Sequence, residues 1–166
     1  MSQINFRPAT LLDIPTLRRF EQGVIAAERP FDITLKSDPI HYYNIEELIN
    51  SEHSELVVAE LHGKLIASGY ARIEDSKHYL VHRKHAYCGF MYVVPEHRGK
   101  GLNKEILKIL KIWALSGGIT ELRLDVYEDN LPAINAYQRA GFTKYLAHMR
   151  MDISEEMPGS DTGINF

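Results

Sequence analysis

Apolar side chains recur along this chain with two periods, and its elements lie between the places where the period changes. Near the N-terminus Leu11, Ile14, Leu17, Phe20 and Val24 are spaced as one helix face, and Thr10 or Asp13 can cap a helix running to about Ala27. Before it, INFRP reads as a short strand ended at Pro8. ERPFDITLKSDP holds two prolines and reads as loop, and YYNIEELIN as a second, short helix. ELVVAELHGKLIASGYARIED is two β-rich runs joined at His62-Gly63, the pattern of a hairpin. SKHYLVHRKH is polar and reads as a long turn or the ragged ends of two strands. AYCGFMYVV is apolar at both parities, which predicts a strand buried on both faces and stopped by Pro95.

From residue 102 the period returns to helical. Leu102, Ile106, Leu110 and Trp113 form one stripe of a helix over 102–116, closed by Gly117-Gly118. ITELRLDVY alternates, with Leu122, Leu124 and Val126 on one side and Arg123, Asp125 and Tyr127 on the other. Pro132 suits the first turn of a further helix that stops at Gly141, and FTKYLAHMRMDI reads as a last strand. The strand–helix–strand unit over 87–126 requires a parallel pair with a right-handed crossover, whereas the hairpin makes an antiparallel one. The expectation is a single α/β domain of the α+β type over residues 1–153. Its sheet is mixed and mostly antiparallel with a parallel central pair, and helices cover both faces. Residues 154–166 read as a polar tail.

Composition narrows the class without naming a reaction. A chain of 166 residues, 45% apolar and 25% charged, suits one soluble domain. A net charge of -3 gives no global attraction to nucleic acid. The N-terminus lacks the apolar core of a signal peptide, no run is long enough to span a membrane, and the single Cys88 fits a reducing compartment, so a cytoplasmic protein is expected. His78, His82 and His85 lie close in sequence, but the segment lacks helix signals and reads as a solvated turn, so no metal is expected.

Chemistry concentrates after the apolar strand. VVPEHRGKGLNKEIL places Arg98-Gly99-Lys100-Gly101 directly before a helix. A helix N-terminus offers free N–H groups and partial positive charge; the glycines allow close approach, and Arg98 and Lys100 add cations. This suits a phosphate or diphosphate. Leu102 after Gly101 rules against a P-loop, and Lys104 at the third glycine position rules against a dinucleotide fingerprint.

YVVPEHRGKGLNKEIL resembles the acetyl-CoA-binding motif of the GCN5-related N-acetyltransferases, and DNLPAINAYQRAGF resembles their second motif; the resemblance covers about residues 86–143. It implies an N-acetyltransferase with acetyl-CoA as cosubstrate. In such a protein the backbone of Met91, Tyr92 and Val93 pairs with the pantetheine arm. The amides of Arg98, Gly99, Lys100, Gly101, Leu102, Asn103 and Lys104 hold the diphosphate, Asn130 bonds the arm, and Tyr137 is the general acid. A carboxylate at Asp125 serves some members as general base, often through water. Glu28, Phe31 and Asp32 fall in the region that lines the acceptor pocket. Two positions depart from the pattern: Glu96 stands where Gln or Arg is frequent, and Asn103 where a small residue is common. The acceptor is a small-molecule or peptide amine, no nucleic acid or membrane partner is implied, and homodimers are frequent in the family. A non-catalytic acetyl-CoA sensor and a protein acetyltransferase are the alternatives.

The residues make chemical sense of that implication. An alkylammonium titrates near 10.4 and must lose a proton before it attacks, while a phenol near 10 keeps its proton at neutral pH and can donate it to a leaving thiolate. Asn130 and Tyr137 are seven apart, so on one helix they share a face about 10 Å apart along the axis. Tyr137, three residues from Ile134, also has a plain core reading, and Arg123 on the strand face of Asp125 can pair with it. Cys88 lies mid-strand and is a poor nucleophile candidate.

Overall fold

The computed structural model describes residues 3–154. The elements are β1 (Asn5–Pro8), α1 (Ile14–Glu28), α2 (Ile45–Asn50), β2 (Ser54–Leu61), β3 (Lys64–Asp75), β4 (Lys84–Val93), α3 (Leu102–Ser116), β5 (Leu122–Arg123) and α4 (Leu131–Arg139). The sheet runs in chain order from β1 to β5; neighbours up to β4 are antiparallel, and β4–β5 is parallel. The hairpin turn falls at His62 and Gly63, with φ of 51° and 73°, the left-handed pair that a two-residue turn between twisted strands requires.

Thr10 and Asp13 both serve the start of α1. Asp13 accepts the backbone N–H and the hydroxyl of Thr10 at 2.8 and 3.1 Å. It also takes Arg7 at 2.7 and 3.0 Å, and Arg7 reaches Glu60 at 2.8 Å, so one guanidinium ties β1, the start of α1 and β2.

Helices cover both faces. On one, Leu102, Ile106, Leu107, Leu110 and Ala114 of α3 bury against Val57, Ala59, Ala67, Ala71 and Ala86. On the other, Leu17, Phe20 and Val24 of α1 and Ile45 and Leu48 of α2 pack on Leu56, Val58, Tyr70 and Phe90. Small side chains on the α3 face let that helix lie close to the sheet. Gly69 is the extreme case: a Cβ there would sit 2.5 Å from Met91 Sδ and 2.8 Å from Ile106 Cγ2. No helix among the described residues is long and apolar enough to cross a membrane.

Three sequence expectations change. FTKYLAHMRMDI forms no strand: residues 142–153 lack ladder pairing, and Leu146, Met149, Met151 and Ile153 are exposed. The parallel pair forms, but among the described residues no strand lies beyond it, so the pair ends the sheet. The strand expected over ITELRLDVY is paired only at Leu122–Arg123, because β4 turns away from it (see below). Most of the expected tail, from residue 155, lies outside the described residues.

Glu21 of α1 is fully buried yet satisfied. Its Oε1 accepts the N–H groups of Tyr42 and Tyr43 at 2.8 Å each; Oε2 lies 2.8 Å from His41 Nδ1 and accepts from Arg18 at 3.3 Å. This carboxylate fixes the segment before α2 onto α1. Burial alone would push its pKa up, but the bonds from His41, Tyr43, Tyr42 and Arg18 outweigh it and hold it below the usual 4.5.

Two stability predictions follow from this packing. Gly69→Ala forces Ile106 or Met91 to move and is expected to cost about 1–3 kcal/mol in urea unfolding; an unchanged midpoint would contradict the close approach. Glu21→Gln is expected to cost about 1–3 kcal/mol at pH 7. A depressed folded pKa stabilises above the unfolded value and is lost as pH falls through the folded one. The wild type should therefore lose stability below about pH 4.5 more steeply than the variant, and parallel pH curves would reject the ionised pin.

Candidate active site

The groove begins with one extra residue in β4. Tyr92 pairs with Ser68 and Gly89 with Tyr70, so Phe90 and Met91 together oppose Gly69 alone. That is a bulge, and Phe90 takes up φ 56° within it. β4 pairs with β5 at Ala86–Leu122 and Tyr87–Arg123, and the two strands part beyond. On the other side Val94 donates to Ile66 at 2.9 Å. Alternation then turns the backbone groups of Met91 and Val93 toward the gap and those of Tyr92 toward β3. Arg98 Nε occupies the Val93 carbonyl at 3.1 Å. The Tyr92 ring packs on α1, 4.8 Å from Phe20.

The gap leads to the glycine loop. Gly99 and Gly101 have φ of 74° and 79°, and a Cβ built at either meets nothing within 4 Å. The loop's open side therefore stands before α3, whose first amides, on Leu102, Asn103 and Lys104, have no partner within the helix. Arg98 and Lys100 are exposed beside it. The Asn103 Oδ1 is buried without a hydrogen-bond partner. A ligand with N–H or O–H donors and an anionic group would satisfy both that oxygen and those amides, so the loop fits coenzyme A in its chemistry.

α4 supplies the other wall. Asn130 caps it, its Oδ1 accepting from Ala133 N–H at 3.3 Å, which leaves the amide NH₂ free to donate. Tyr137 is half-buried against the α3-side core with its ring 5.8 Å edge-on to Phe142. Burial, with the nearby Cys88 and Glu28, pushes its hydroxyl up to about 12, so it keeps its proton at neutral pH. The core reading and the acid reading thus describe one residue: the ring packs while the hydroxyl remains a donor.

Asp125 does not pair with Arg123. Arg123 binds Glu121 and lies over the Tyr145 ring, and Asp125 is exposed, accepting from the Tyr87 hydroxyl at 3.2 Å. Backbone parity alone could not show this, because Glu121 is as close along the chain to Arg123 as Asp125 is.

The residues expected on the acceptor side gather near the end of α1. Phe31 stacks on Tyr127 at 6.0 Å. Asp32 is consumed by structure: it accepts from the Thr34 hydroxyl and amide at 2.6 and 2.9 Å, from Arg150 at 2.9 Å and from Tyr127 at 3.4 Å. Thr34 and then Arg150 hold it well below the usual carboxylate range. Glu28 behaves oppositely. Burial and the nearby Asp32 push it up, and the neighbouring Tyr42 offsets this only in part. Sequence reasoning passed over Tyr42, Tyr43 and Tyr127: Tyr42 adjoins Glu28, Tyr43 stacks on Phe90 and Tyr127 meets Phe31 and Asp32, and nothing in their spacing signals it. Tyr42, Tyr43, Tyr70, Arg72 and Tyr87 also line a cavity of about 250 Å³. The histidines disperse: His85 is buried on Ser76 at 2.9 Å, His82 lies 3.1 Å from Glu121, and His78 meets the Tyr79 ring edge-on.

Comparison with known proteins places this geometry. Residues 23–142 match the family described as Acetyltransferase (GNAT) family. An uncharacterized N-acetyltransferase of Bacillus subtilis is 36% identical over 56 residues, 34% of this chain and 23% of that protein. Streptothricin acetyltransferase of Escherichia coli is 43% identical over 47 residues, 28% of this chain and 27% of that protein. The alignments thus span about a quarter of each of these curated relatives. A predicted acetyltransferase from Clostridium acetobutylicum, solved with acetyl-CoA, superposes with a TM-score of 0.71 at 19% identity, over 92% of this chain and 98% of that one; at this identity the likeness is one of fold. With the family match extending from α1 through α4 on this splayed sheet, the chain belongs to the GNAT acetyltransferase family.

Proposed function

We propose that this protein transfers an acetyl group from acetyl-CoA to a primary amine by direct attack on the thioester. The observation that carries the reading is the free edge of β4 beyond its bulge, continuous with the open glycine loop at the α3 N-terminus. Bound there, acetyl-CoA would supply an electrophilic carbonyl and a thiol leaving group. Met91 and Val93 would offer backbone groups to the arm, and Asn130 its amide. The amides from Arg98 to Lys104 would hold the diphosphate. Tyr137, protonated at neutral pH, would donate to the sulfur. Asp125, Glu28 and Asp32 are the carboxylates on the acceptor side, Asp32 being engaged by Thr34 and Arg150. Cys88 is buried, and burial pushes its thiol up to about 12, which favours direct transfer over a covalent enzyme intermediate.

Acceptors on the reading are small amines, in keeping with the streptothricin acetyltransferase among the relatives. The test is thiol release from acetyl-CoA with pooled amino acids, polyamines, aminoglycosides and peptides. At least one pool should exceed background hydrolysis; tight coenzyme A binding with no turnover on any pool would favour a sensor instead. Gly101→Asp should abolish coenzyme A binding in calorimetry, since it adds bulk and negative charge at the amides; unchanged affinity would put the diphosphate elsewhere. Tyr137→Phe should lower kcat by about 10²–10⁴ with coenzyme A affinity retained, and an unchanged kcat would remove the phenol from the reaction.

A further inference from the structure

The cavity of about 250 Å³ beneath α2 holds two hydrogen-bond donors that the fold leaves unused. Tyr70 of β3 is the first. It is only 4% exposed, yet its hydroxyl makes no hydrogen bond among the described residues. The ring lies across to β4 at Gly89, where a Cβ would stand 2.9 Å from the hydroxyl, so the glycine is what admits the phenol there. Burial pushes the phenol up, so at neutral pH it is a donor. A buried polar side chain without a partner is rare and calls for one from outside the chain.

Arg72 is the second donor. It stands two residues further along β3, on the same face and about 7 Å away. Its Nε and Nη2 donate to Glu74 Oε1 at 3.1 and 2.6 Å, which engages one side of the guanidinium. Nη1 donates to nothing among the described residues, so the end of the fork stays open at the mouth of the cavity. The carboxylate in the lining, Glu47, is turned to its own helix start, where Oε2 accepts from the Asn44 side chain at 3.1 Å. A phenol and an open guanidinium fork facing one cavity favour an anionic oxygen group over a cation.

The cavity also touches the split in the sheet. Tyr70 opposes Gly89, the residue before the bulge. Tyr87 opposes Arg72, lines the same cavity and donates to Asp125 at 3.2 Å, past the point where β4 and β5 part. A ligand held by Tyr70 and Arg72 therefore has its other end directed to the gap between the strands. The volume lies below the roughly 300–1,000 Å³ that holds drug-sized ligands, so the ligand is compact. Resting on the acetyltransferase reading above, we infer that the acceptor is a small amine that also carries an oxyanion, a carboxylate or a phosphate, and that Tyr70 and Arg72 bind this oxyanion and set the specificity.

The test compares short ω-amino acids and aminoalkyl phosphates with alkylamines and diamines of matched length. At least one oxyanion-bearing amine should exceed its matched alkylamine in kcat/KM by about 10–100-fold, the effect of hydrogen bonds to a charged group. Which of the two series leads tells whether carboxylate or phosphate is read. Arg72→Gln should remove the advantage through KM more than kcat, and should change the matched alkylamine by less than about threefold. Tyr70→Phe should reduce the advantage by about 3–10-fold. Its Tm should equal or exceed that of the wild type, because the hydroxyl has no protein partner to lose; a lower Tm would make the hydroxyl structural and overturn its role. Alkylamines or diamines that match the oxyanion series at every length, or equal losses on both classes in Arg72→Gln, would overturn the inference alone. Calorimetry of the same amines on the coenzyme A complex reads binding without turnover. Arg72-dependent binding with no amine acetylated would overturn the acetyltransferase reading and keep the oxyanion site, whereas neither binding nor acetylation would overturn both.

Discussion

The extra residue in β4 is the constraint from which the site follows. A regular parallel pair would run β4 and β5 together along their length and leave no opening. With Phe90 and Met91 set against Gly69, β4 bends and its outer edge loses its partner after Tyr87. The free backbone groups then line a slot that ends at the α3 N-terminus. An exposed strand edge is a liability in most sheets, and on the proposed reading the extended arm of the cosubstrate covers it. Packing holds the bend in place. Phe90 is almost fully buried, stacked on Tyr43 at 4.4 Å, and the Ser68 hydroxyl donates to its carbonyl at 3.0 Å. The left-handed backbone at a phenylalanine is thus paid for by ring burial on the α1–α2 face.

That dependence explains why α1 and α2 matter to chemistry on the far side of β4. Tyr43, which stacks on Phe90, has its own N–H fixed by Glu21. Tyr42, held by the same carboxylate, faces Glu28. One buried side chain of α1 therefore positions both the ring that supports the bulge and the hydroxyl beside Glu28.

Most of this fold was legible in the sequence where a short-range pattern decides it. The α3 stripe, the His62-Gly63 turn, the capping residues of α1 and the glycine loop all follow from local spacing. The features missed are those set by partners far along the chain. AYCGFMYVV reads as one uninterrupted strand, because a bulge depends on the register with β3 and not on composition. ITELRLDVY alternates like a full strand but keeps only two paired residues, since its partner departs. FTKYLAHMRMDI has strand-like composition, yet it takes no ladder partner, and β5, the edge strand it would extend, is only two residues long. The candidate site divides in the same way: the half proposed for the anion lies in one continuous motif, and the half proposed for the acceptor is assembled from α1, the segment before α2, and the residues after β5.

On the proposed reading, electrostatics sort the two substrates before any specific contact forms. The cosubstrate carries phosphates and meets the positive end of α3, flanked by Arg98 and Lys100. The acceptor carries an ammonium and meets the negative end of α1, where Glu28 adds to the dipole. Each of these charges opposes the dipole of its own helix, an acid at a C-terminus and bases near an N-terminus alike. At the α3 end the excess positive charge is exposed and solvated, so its cost is small; at the α1 end the carboxyl is half-buried and its cost is not. A binding site for a cation at the end of α1 relieves that cost, whereas a second anion there would compound it. The polarity of the two helix ends, rather than the net charge of -3, therefore sets which charge each half of the cleft accepts.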